Sequence, residues 1–402
     1  MTLVDKRGKI VGNMKIGRIV RWIKDKVRSP SEEEIRLELP EIPPVWKRKP
    51  VERKLGDRIL RVARVSPWRI PLPVIPRPKQ AGLSPLIVVY GFAGVIILGT
   101  ILLLLPVASK TGQFTSPVNA LFTAASSVCV TGLAVVDTGD YWSGFGQGVI
   151  LVLIQIGGLG FMACATLLLL VLGRRLGLRE RWLIGQSLGT ERLGGMVKLV
   201  RRILVFTFIV EVIGAAIFYI RFSVENPAGT AVWKAVFQAV SAFNNCGLDV
   251  FGNFRSLLGY QTDTAVILTT AALIILGGIS FVVVADMGRM RRFGRLSVDS
   301  KIVLVTTLGL LVLGTVVILI TEYGNADTLG PLSFPYKLLN AFFHSVTPRT
   351  AGFSSINIGS MATYSQFFTI LLMFVGGAAG STAGGIKVNT FGMLVATIWS
   401  TI

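Results

Sequence analysis

Charged residues are scarce in this chain: they make up 15% of its 402 residues, whereas 52% are hydrophobic. Soluble proteins carry about 25% charged residues, so an ordinary soluble domain is excluded. The hydrophobic residues are concentrated in six runs, each close to the ~20 residues that a helix needs to cross a bilayer. We therefore predict an all-α, multi-pass membrane protein rather than a soluble protein with a cleaved signal. The runs are 85–105, 145–173, 203–220, 265–284, 302–320 and a last one that starts near residue 367.

Cysteine and histidine are rare as well. The three cysteines, Cys129, Cys164 and Cys246, lack the spacing of a metal site or a redox motif, and His344 is the only histidine. A metal centre and a histidine-based catalytic triad both need several such residues close together. We therefore expect no enzyme activity and no bound cofactor, and we interpret His344 as a structural residue.

Acidic residues are outnumbered by basic ones, which gives a net charge of +20. Nucleic-acid binding is one explanation, but the position of the charges favours a membrane. Bases are concentrated in 1–80 and in the connections 174–202 and 287–301, whereas 106–144 and 321–366 contain few. Because basic connections remain in the cytoplasm, we predict a cytoplasmic N-terminus, membrane lipid as a partner and no nucleic-acid partner.

Residues 1–80 are rich in charge and proline and contain no long apolar run. One interpretation is a solvated, partly disordered tail. The other is a basic amphipathic helix over 16–27 that lies on anionic lipid, because apolar residues recur there at helical spacing.

Three twelve-residue segments align without a gap, which indicates an internal repeat. They are LFTAASSVCVTG (121–132), VFQAVSAFNNCG (236–247) and AFFHSVTPRTAG (341–352). Each lies between two apolar runs, and a glycine-rich match follows on the next run: QIGGLGF, ILGGISF or FVGGAAG. The repeated unit is therefore a helix, a short re-entrant helix, a glycine turn and a second helix.

A re-entrant unit of this kind has a physical purpose in a membrane. Non-helical backbone is tolerated at membrane depth only inside protein or beside a water-filled path, and rings of backbone carbonyl groups can replace the hydration shell of K⁺. Glycine suits such a position because it accepts φ > 0. A single glycine would be interpreted as a tight turn, whereas three aligned copies favour a pore.

The same segments resemble a known family, the Trk/Ktr/HKT potassium transporters. VCVTGL (128–133), FNNCGL (243–248) and TPRTAGF (347–353) resemble its first three selectivity-filter loops. IQIGGLGFM (154–162) resembles the inner helix of its first repeat, and MFVGGAAGSTAGGIKV (373–388) resembles the glycine-rich interruption in its third. The resemblance covers about residues 81–402. Within the family, the chain looks more like Ktr than Trk.

By that resemblance the chain is the pore-forming subunit of a potassium uptake system, with helix–pore loop–helix repeats around a pseudo-fourfold ion pore and K⁺ as the transported ion. The implied domains are the tail 1–80, pore repeat 1 at 81–195, pore repeat 2 at 196–295 and pore repeat 3 at 296–402. The implied filter residues are Val130, Thr131, Gly132, Asn245, Cys246, Gly247, Thr350, Ala351 and Gly352. The implied residues of an intramembrane gating loop are Gly376, Gly377, Gly380, Ser381, Thr382, Gly384 and Gly385. So many glycines cannot hold a straight helix, although a kinked, closely packed helix is the alternative.

The resemblance also implies a homodimer in the cell membrane and a cytosolic nucleotide-binding regulatory subunit. The basic connections 174–202 and 287–301 could bind that subunit, or could simply follow the positive-inside rule. The family has four repeats and three are visible, so we expect the fourth to be missing, through truncation, a frameshift, a split gene or incomplete assembly. The alternatives for function are a non-conducting remnant and an alternating-access carrier, although the repeats all run in the same direction.

Two charged residues each leave two interpretations open. Glu211 lies in the middle of an apolar run and is either a functional group or a hydrogen-bonded contact between helices. Arg349 lies three residues before Gly352 and either braces the filter through backbone carbonyl groups or faces the outer water.

Overall fold

The structure, a computed structural model, describes residues 86–160, 196–290 and 292–401. Within these ranges the chain forms helices and no β-strand, so the predicted all-α class is confirmed. The predictions for 1–80 and for Cys164 lie outside the described residues. The helices are α1 Leu86–Leu104, α2 Pro117–Val128, α3 Gly144–Leu159, α4 Met196–Phe222, α5 Ala228–Phe243, α6 Thr264–Gly278, α7 Phe281–Arg289, α8 Val298–Glu322, α9 Phe334–Val346, α10 Thr363–Phe374 and α11 Val388–Thr401. Single helical turns lie at Pro106–Ala108, Thr138–Tyr141, Leu258–Tyr260, Phe293–Arg295 and Ile358–Ser360.

The order of a first helix, a short helix, a loop and an inner helix recurs along the chain. We call α1–α3 unit 1, α4–α7 unit 2 and α8–α11 unit 3. In each unit the first helix packs on the short helix that follows it. The inner helix α3 of unit 1 also contacts the short helix α5 of unit 2, and α6 of unit 2 contacts α9 of unit 3. Successive units are therefore joined in the same way.

The short helices α2, α5 and α9 all begin at a proline. Pro117 is the first residue of α2, Pro227 precedes α5 and Pro335 lies in the first turn of α9. Proline is favoured there because its fixed φ suits a helix and its missing N–H would have no helical partner. Other helices begin instead at side chains that cap their free N–H groups, as Asp263 does for α6 and Ser297 for α8.

Large apolar side chains on the long helices remain exposed, which is expected for surfaces that contact lipid. Among the described residues, Val200–Phe222 and Val298–Glu322 are each long and apolar enough to cross a membrane, and α6 with α7 forms a bent third candidate. Shorter apolar helices are Val89–Leu104, Gly144–Leu159, Thr363–Phe374 and Val388–Ser400. Exposed side chains of α4 and α8 include Phe208, Ile213, Ile220, Leu308, Val312 and Ile320.

All three inner helices end within two residues of their paired glycines. The sequence predicts one helical run over 265–284. In the structure, α6 ends at Gly278 and α7 continues at an angle of 95°. In unit 1, α3 ends at Leu159 and Gly160 has φ +82°. In unit 3, α10 ends at Phe374 and helix resumes only at Val388. The sequence predicted an interruption in the third inner helix alone.

Candidate functional site

Three loops follow the short helices and share one backbone conformation. We call them loop 1 (129–133), loop 2 (244–248) and loop 3 (347–353). The glycine of each loop has a positive φ: +74° at Gly132, +84° at Gly247 and +80° at Gly352. Two residues earlier, a residue other than glycine is also left-handed in every loop. These residues are Val130 at φ +54°, Asn245 at φ +57° and Thr350 at φ +64°.

Val130 and Thr350 are β-branched, and β-branched residues rarely adopt a positive φ. Such strain persists only where surrounding structure enforces it, and it is concentrated at functional sites. Its recurrence at the same position of three loops shows that the aligned sequences fold in the same way.

A hydroxyl group at the end of each short helix binds the carbonyl of the residue that follows the glycine. Ser126 Oγ donates to the Leu133 carbonyl at 2.7 Å, and Ser241 Oγ donates to the Leu248 carbonyl at 2.5 Å. In loop 3 the donor is Thr347 Oγ1, which binds the Phe353 carbonyl at 2.6 Å. Ser126 and Ser241 lie six residues before their glycines, whereas Thr347 lies five before. The sequence analysis missed these hydroxyls, although the two serines align in the repeat.

The loops contact one another through the glycines. A Cβ atom at Gly132 would collide with the backbone oxygen of Cys246, and one at Gly247 would collide with that of Ala351. At Gly352 the nearest atom to such a Cβ is the Gly247 Cα at 3.7 Å. Loop 1 therefore packs on loop 2, and loop 2 packs on loop 3. The structure brings all nine sequence-predicted filter residues into this row of loops.

A cavity of about 830 Å³ separates loop 3 from loop 1. Its walls include Cys129 and Gly132 from loop 1, and Thr350 and Gly352 from loop 3. His344 of α9 lines it too, and its Nε2 lies 3.2 Å from Thr369 Oγ1 of α10. This contact joins two helices of unit 3, which fits the structural interpretation of His344.

The segment 375–387, which we call the glycine loop, is folded back on itself. The Gly376 N–H donates to the Ile386 carbonyl at 3.0 Å, and the Val388 N–H donates to the Gly377 carbonyl at 3.0 Å. A Cβ at Gly376 would collide with the Gly384 backbone oxygen, so the two halves of the loop approach closely. Gly380 and Gly385 have φ +74° and +72°. The predicted break in the helix is therefore present, and the alternative of a kinked, closely packed helix is not formed over these residues.

The glycine loop is bonded to unit 2 at the end of α6. Its Ala378 N–H donates to the Gly278 carbonyl at 2.9 Å, and its Thr382 N–H donates to the Gly277 carbonyl at 3.1 Å. These carbonyl groups are free because α6 ends there. Thr382 Oγ1 also donates to the carbonyl of Phe243, the last residue of α5, at 3.2 Å. The break in α6 thus provides the acceptors that hold the loop.

The structure shows the partners of both charged residues. Arg349 is buried, and its Nη2 donates to the Thr307 carbonyl of α8 at 2.7 Å, so it braces loop 3 and does not face outer water. Glu211 is buried and accepts hydrogen bonds from Gln155 at 3.3 Å and from Asn244 at 3.1 Å. These bonds join α4 to α3 and to the end of α5.

Apolar helices that enclose strained re-entrant loops define an all-α membrane transport protein. The family model described as "TrkH: Cation transport protein" matches residues 84–402. The chain belongs to this family, and the predicted relationship to the Trk/Ktr transporters is confirmed.

Curated relatives support the same assignment. The chain is 42% identical over 314 residues to Ktr system potassium uptake protein B of Bacillus subtilis, a match that covers 78% of this chain and 70% of the relative. It is 40% identical to potassium/sodium uptake protein NtpJ of Enterococcus hirae over 78% of this chain and 69% of the relative.

A solved structure supports the fold. The crystal structure of the potassium transporter TrkH from Vibrio parahaemolyticus matches with a TM-score of 0.59 at 19% identity. The match covers 79% of this chain, and the chain spans 62% of that structure's chain.

Proposed function

We propose that this chain carries K⁺ across the cell membrane through a pore whose selectivity filter is formed by loops 1, 2 and 3. The observation that carries the proposal is the identical pair of left-handed positions in the three loops, with the glycine of one loop packed on a backbone carbonyl of the next. Backbone held in this way has no side chain at the glycine and can offer carbonyl oxygens to a dehydrated cation. The names of the potassium uptake relatives support the choice of ion.

The glycine loop is the proposed gate. It lies at the interruption of the third inner helix and contacts both the end of α5 and loop 3. Its glycines allow several backbone conformations of similar energy, and a few hydrogen bonds hold the present one. Removal of 376–385 is therefore expected to raise K⁺ flux while the K⁺/Na⁺ ratio stays near that of the parent.

A fourth loop is proposed to close the ring on the side of the 830 Å³ cavity. Three loops provide three sides of a fourfold cage, and polar backbone on an open side would be costly in contact with lipid. The cavity walls carry glycine and hydroxyl groups of loops 1 and 3, which suits contact with another loop of the same kind.

Assembly and orientation follow from the family and the charges. We propose a homodimer with a cytoplasmic N-terminus, regulated by a cytosolic nucleotide-binding subunit. Arg289, Arg292 and Arg295 lie exposed at the end of α7 and before α8, on the side assigned to the cytoplasm. They could bind an acidic surface of that subunit, or could simply keep this connection inside.

The test is K⁺ uptake by a strain that lacks its own potassium transporters. The chain is expressed with and without a polypeptide that supplies a fourth helix–loop–helix unit, and membrane insertion is measured in both cases. We expect growth at low K⁺ when the fourth unit is present. Inserted protein without uptake in either case would support a non-conducting remnant. If uptake of one solute requires the exit of another, an alternating-access carrier is favoured.

A further inference from the structure

Three polar side chains, two from helices and one from the residue after a third helix, meet behind loop 2. Asn244 Nδ2 donates to Gln155 Oε1 at 2.9 Å and to Glu211 Oε1 at 3.1 Å. Gln155 Nε2 donates to Glu211 Oε2 at 3.3 Å. Asn244 follows the last residue of α5, Gln155 lies in α3 and Glu211 lies in α4. The cluster therefore joins the inner helix of unit 1 to two elements of unit 2.

Burial of Glu211 at this position has a high free-energy cost. Glu211 is 7% exposed in the middle of a membrane-spanning helix, and the single ion pair in the described part of the chain is Arg221–Asp263. A carboxyl group in such surroundings is costly and is by default a functional candidate. Its hydrogen-bond partners are the two amide groups of Gln155 and Asn244. Any effect of the Glu211 carboxyl on loop 2 is therefore transmitted through these two amide groups.

Asn244 connects this cluster to the strained part of loop 2. It is fully buried and immediately precedes Asn245, the left-handed residue of that loop. Its Nδ2 also donates to the Val240 carbonyl at 2.9 Å, and a Cβ at Gly158 would collide with its Oδ1. The Asn244 side chain is thus trapped between α3, α4 and α5, which restricts the peptide leading into Asn245.

A matching brace exists in unit 3 at the aligned position. Asn244 lies three residues before Gly247, and Arg349 lies three residues before Gly352. Both side chains reach the first helix of their own unit: Asn244 binds Glu211 of α4, and Arg349 binds the Thr307 carbonyl of α8. In unit 1 the aligned residue is Cys129, which is exposed. The position therefore serves the same purpose in two units through different chemistry.

We propose that Glu211 is a positioning residue that sets ion selectivity from behind loop 2, without contacting the ion. It fixes the Asn244 side chain, which keeps Asn245 left-handed and holds the Cys246 carbonyl against Gly132. The inference rests on the proposed function of loop 2 as part of a filter for monovalent cations. Loss of the acceptor lets the strained backbone relax, so the carbonyl groups no longer match K⁺ in preference to Na⁺.

The test compares Glu211→Leu and Glu211→Gln for K⁺ and Na⁺ uptake per inserted transporter, in the complete transport system. Leucine removes both acceptor oxygens, whereas glutamine keeps one oxygen for Asn244. We expect Glu211→Leu to lower the K⁺/Na⁺ ratio by about fivefold, the effect on an equilibrium constant of one hydrogen bond of about 1 kcal/mol. Glu211→Gln should retain most of the parent ratio. Thr207→Val is the matched control, because Thr207 is buried one turn away on α4 and its Oγ1 has no partner in the described structure.

The outcomes separate the inference from the proposed function. A parent system without K⁺-selective uptake would overturn the proposed function itself. A selective parent whose Glu211→Leu variant transports both ions at proportionally reduced rates would overturn only the positioning role, since that result means a structural contribution. If Glu211→Leu does not insert, Gln155→Met replaces it, because methionine keeps the side-chain length and removes one donor to Glu211. An unchanged ratio in Gln155→Met would then count against the inference.

Discussion

The backbone N–H of Gly384 donates a hydrogen bond to Thr350 Oγ1 at 3.3 Å. Thr350 is the left-handed residue of loop 3, and Gly384 lies in the glycine loop. One hydrogen bond thus joins the proposed filter to the proposed gate. The bond between Thr382 Oγ1 and the Phe243 carbonyl makes a second connection, to the helix that leads into loop 2. The glycine loop is therefore bonded both to loop 3 and to the helix that precedes loop 2.

Thr350→Val is expected to raise K⁺ flux and to leave the K⁺/Na⁺ ratio near that of the parent. Valine keeps the β-branched shape and, as Val130 shows, can adopt the left-handed conformation. It removes only the acceptor for Gly384, and loss of about 1 kcal/mol shifts a gating equilibrium about fivefold. Isotope flux into vesicles measures both quantities. Thr350→Ser, which keeps the hydroxyl, is the control; a changed ratio at unchanged flux would mean that the hydroxyl acts in selectivity instead.

Alanine substitutions at the three loop glycines should differ in severity. Gly132→Ala and Gly247→Ala place a methyl group against the Cys246 and Ala351 backbone oxygens, whereas Gly352→Ala meets only ordinary contact. All three variants lose about 1 kcal/mol of stability because alanine is strained at a positive φ. Only in the first two must neighbouring loops also move apart. We expect uptake to be abolished in those two and reduced in Gly352→Ala. Equal loss in all three would show that φ strain alone decides the outcome.

Bulkier residues at Gly132 extend the same test. Gly132→Asp is expected to abolish uptake, because it adds a carboxylate as well as the collision with Cys246. Gly132→Ser lacks the charge and should be milder, with some entry of Na⁺. Uptake of Na⁺ and K⁺ by each variant provides the comparison, and transport by Gly132→Asp at the parent rate would contradict the filter assignment.

The paired glycines of the inner helices are expected to be required for folding. A Cβ at Gly157 would collide with the Val128 carbonyl oxygen, and one at Gly277 would collide with that of Phe243. Each collision lies at the last residue of a short helix, so Gly157→Ala and Gly277→Ala should destabilise the protein by about 1–3 kcal/mol. Gly309→Ala on α8 is the control: nothing lies near its Cβ position, and alanine favours a helix by about 0.5–1 kcal/mol. Thermal unfolding in detergent gives the comparison.

Asp249 is expected to make stability depend on pH. Burial is the main cause that raises the pKa of this carboxyl to about 6; the Phe251 N–H opposes the shift and the nearby Asp137 adds to it. Asp249 lies in the connection between α5 and α6, outside the membrane-spanning helices. Because the folded state binds the proton more tightly than the unfolded state, stability is highest below about pH 4 for this group and falls as the pH rises to about 6. The test is to measure the free energy of unfolding of the parent and of Asp249→Asn at pH 4 and pH 7. The difference between the two pH values should be smaller in the asparagine variant, by at most about 3 kcal/mol. An identical pH dependence in both proteins would contradict the assignment to Asp249.

The aligned repeat predicted the three loops but not their mutual order. Short-range patterns were sufficient to identify the loop residues, because a short helix that ends in a glycine turn is determined by neighbours in sequence. The contacts of Gly132 with Cys246 and of Gly247 with Ala351 join residues more than a hundred positions apart. Only the packing of α3 on α5 and of α6 on α9 brings such residues together.

The inner helices show where periodicity misleads. The run 265–284 is apolar throughout, so hydropathy predicts one span, yet the helix bends by 95° after Gly278. The partners of the freed carbonyls are not visible locally: Gly277 and Gly278 accept hydrogen bonds from Thr382 and Ala378, which are distant in sequence. The third inner helix was predicted correctly because its glycines alone are numerous enough to prevent a helix.

The sequence by itself determined the membrane class, the family, the positions of the loop glycines and the glycine loop, because each depends on composition or on spacing within a short segment. The tertiary structure alone decided what the buried polar groups do. The sequence does not show that Glu211 contacts Asn244 or that Arg349 contacts the Thr307 carbonyl. The tertiary structure also decided that the loop 3 hydroxyl comes from Thr347 rather than from the aligned Val346. Hydrogen bonds act over about 3 Å between atoms, and only the packing of helices determines which atoms of a long chain come that close.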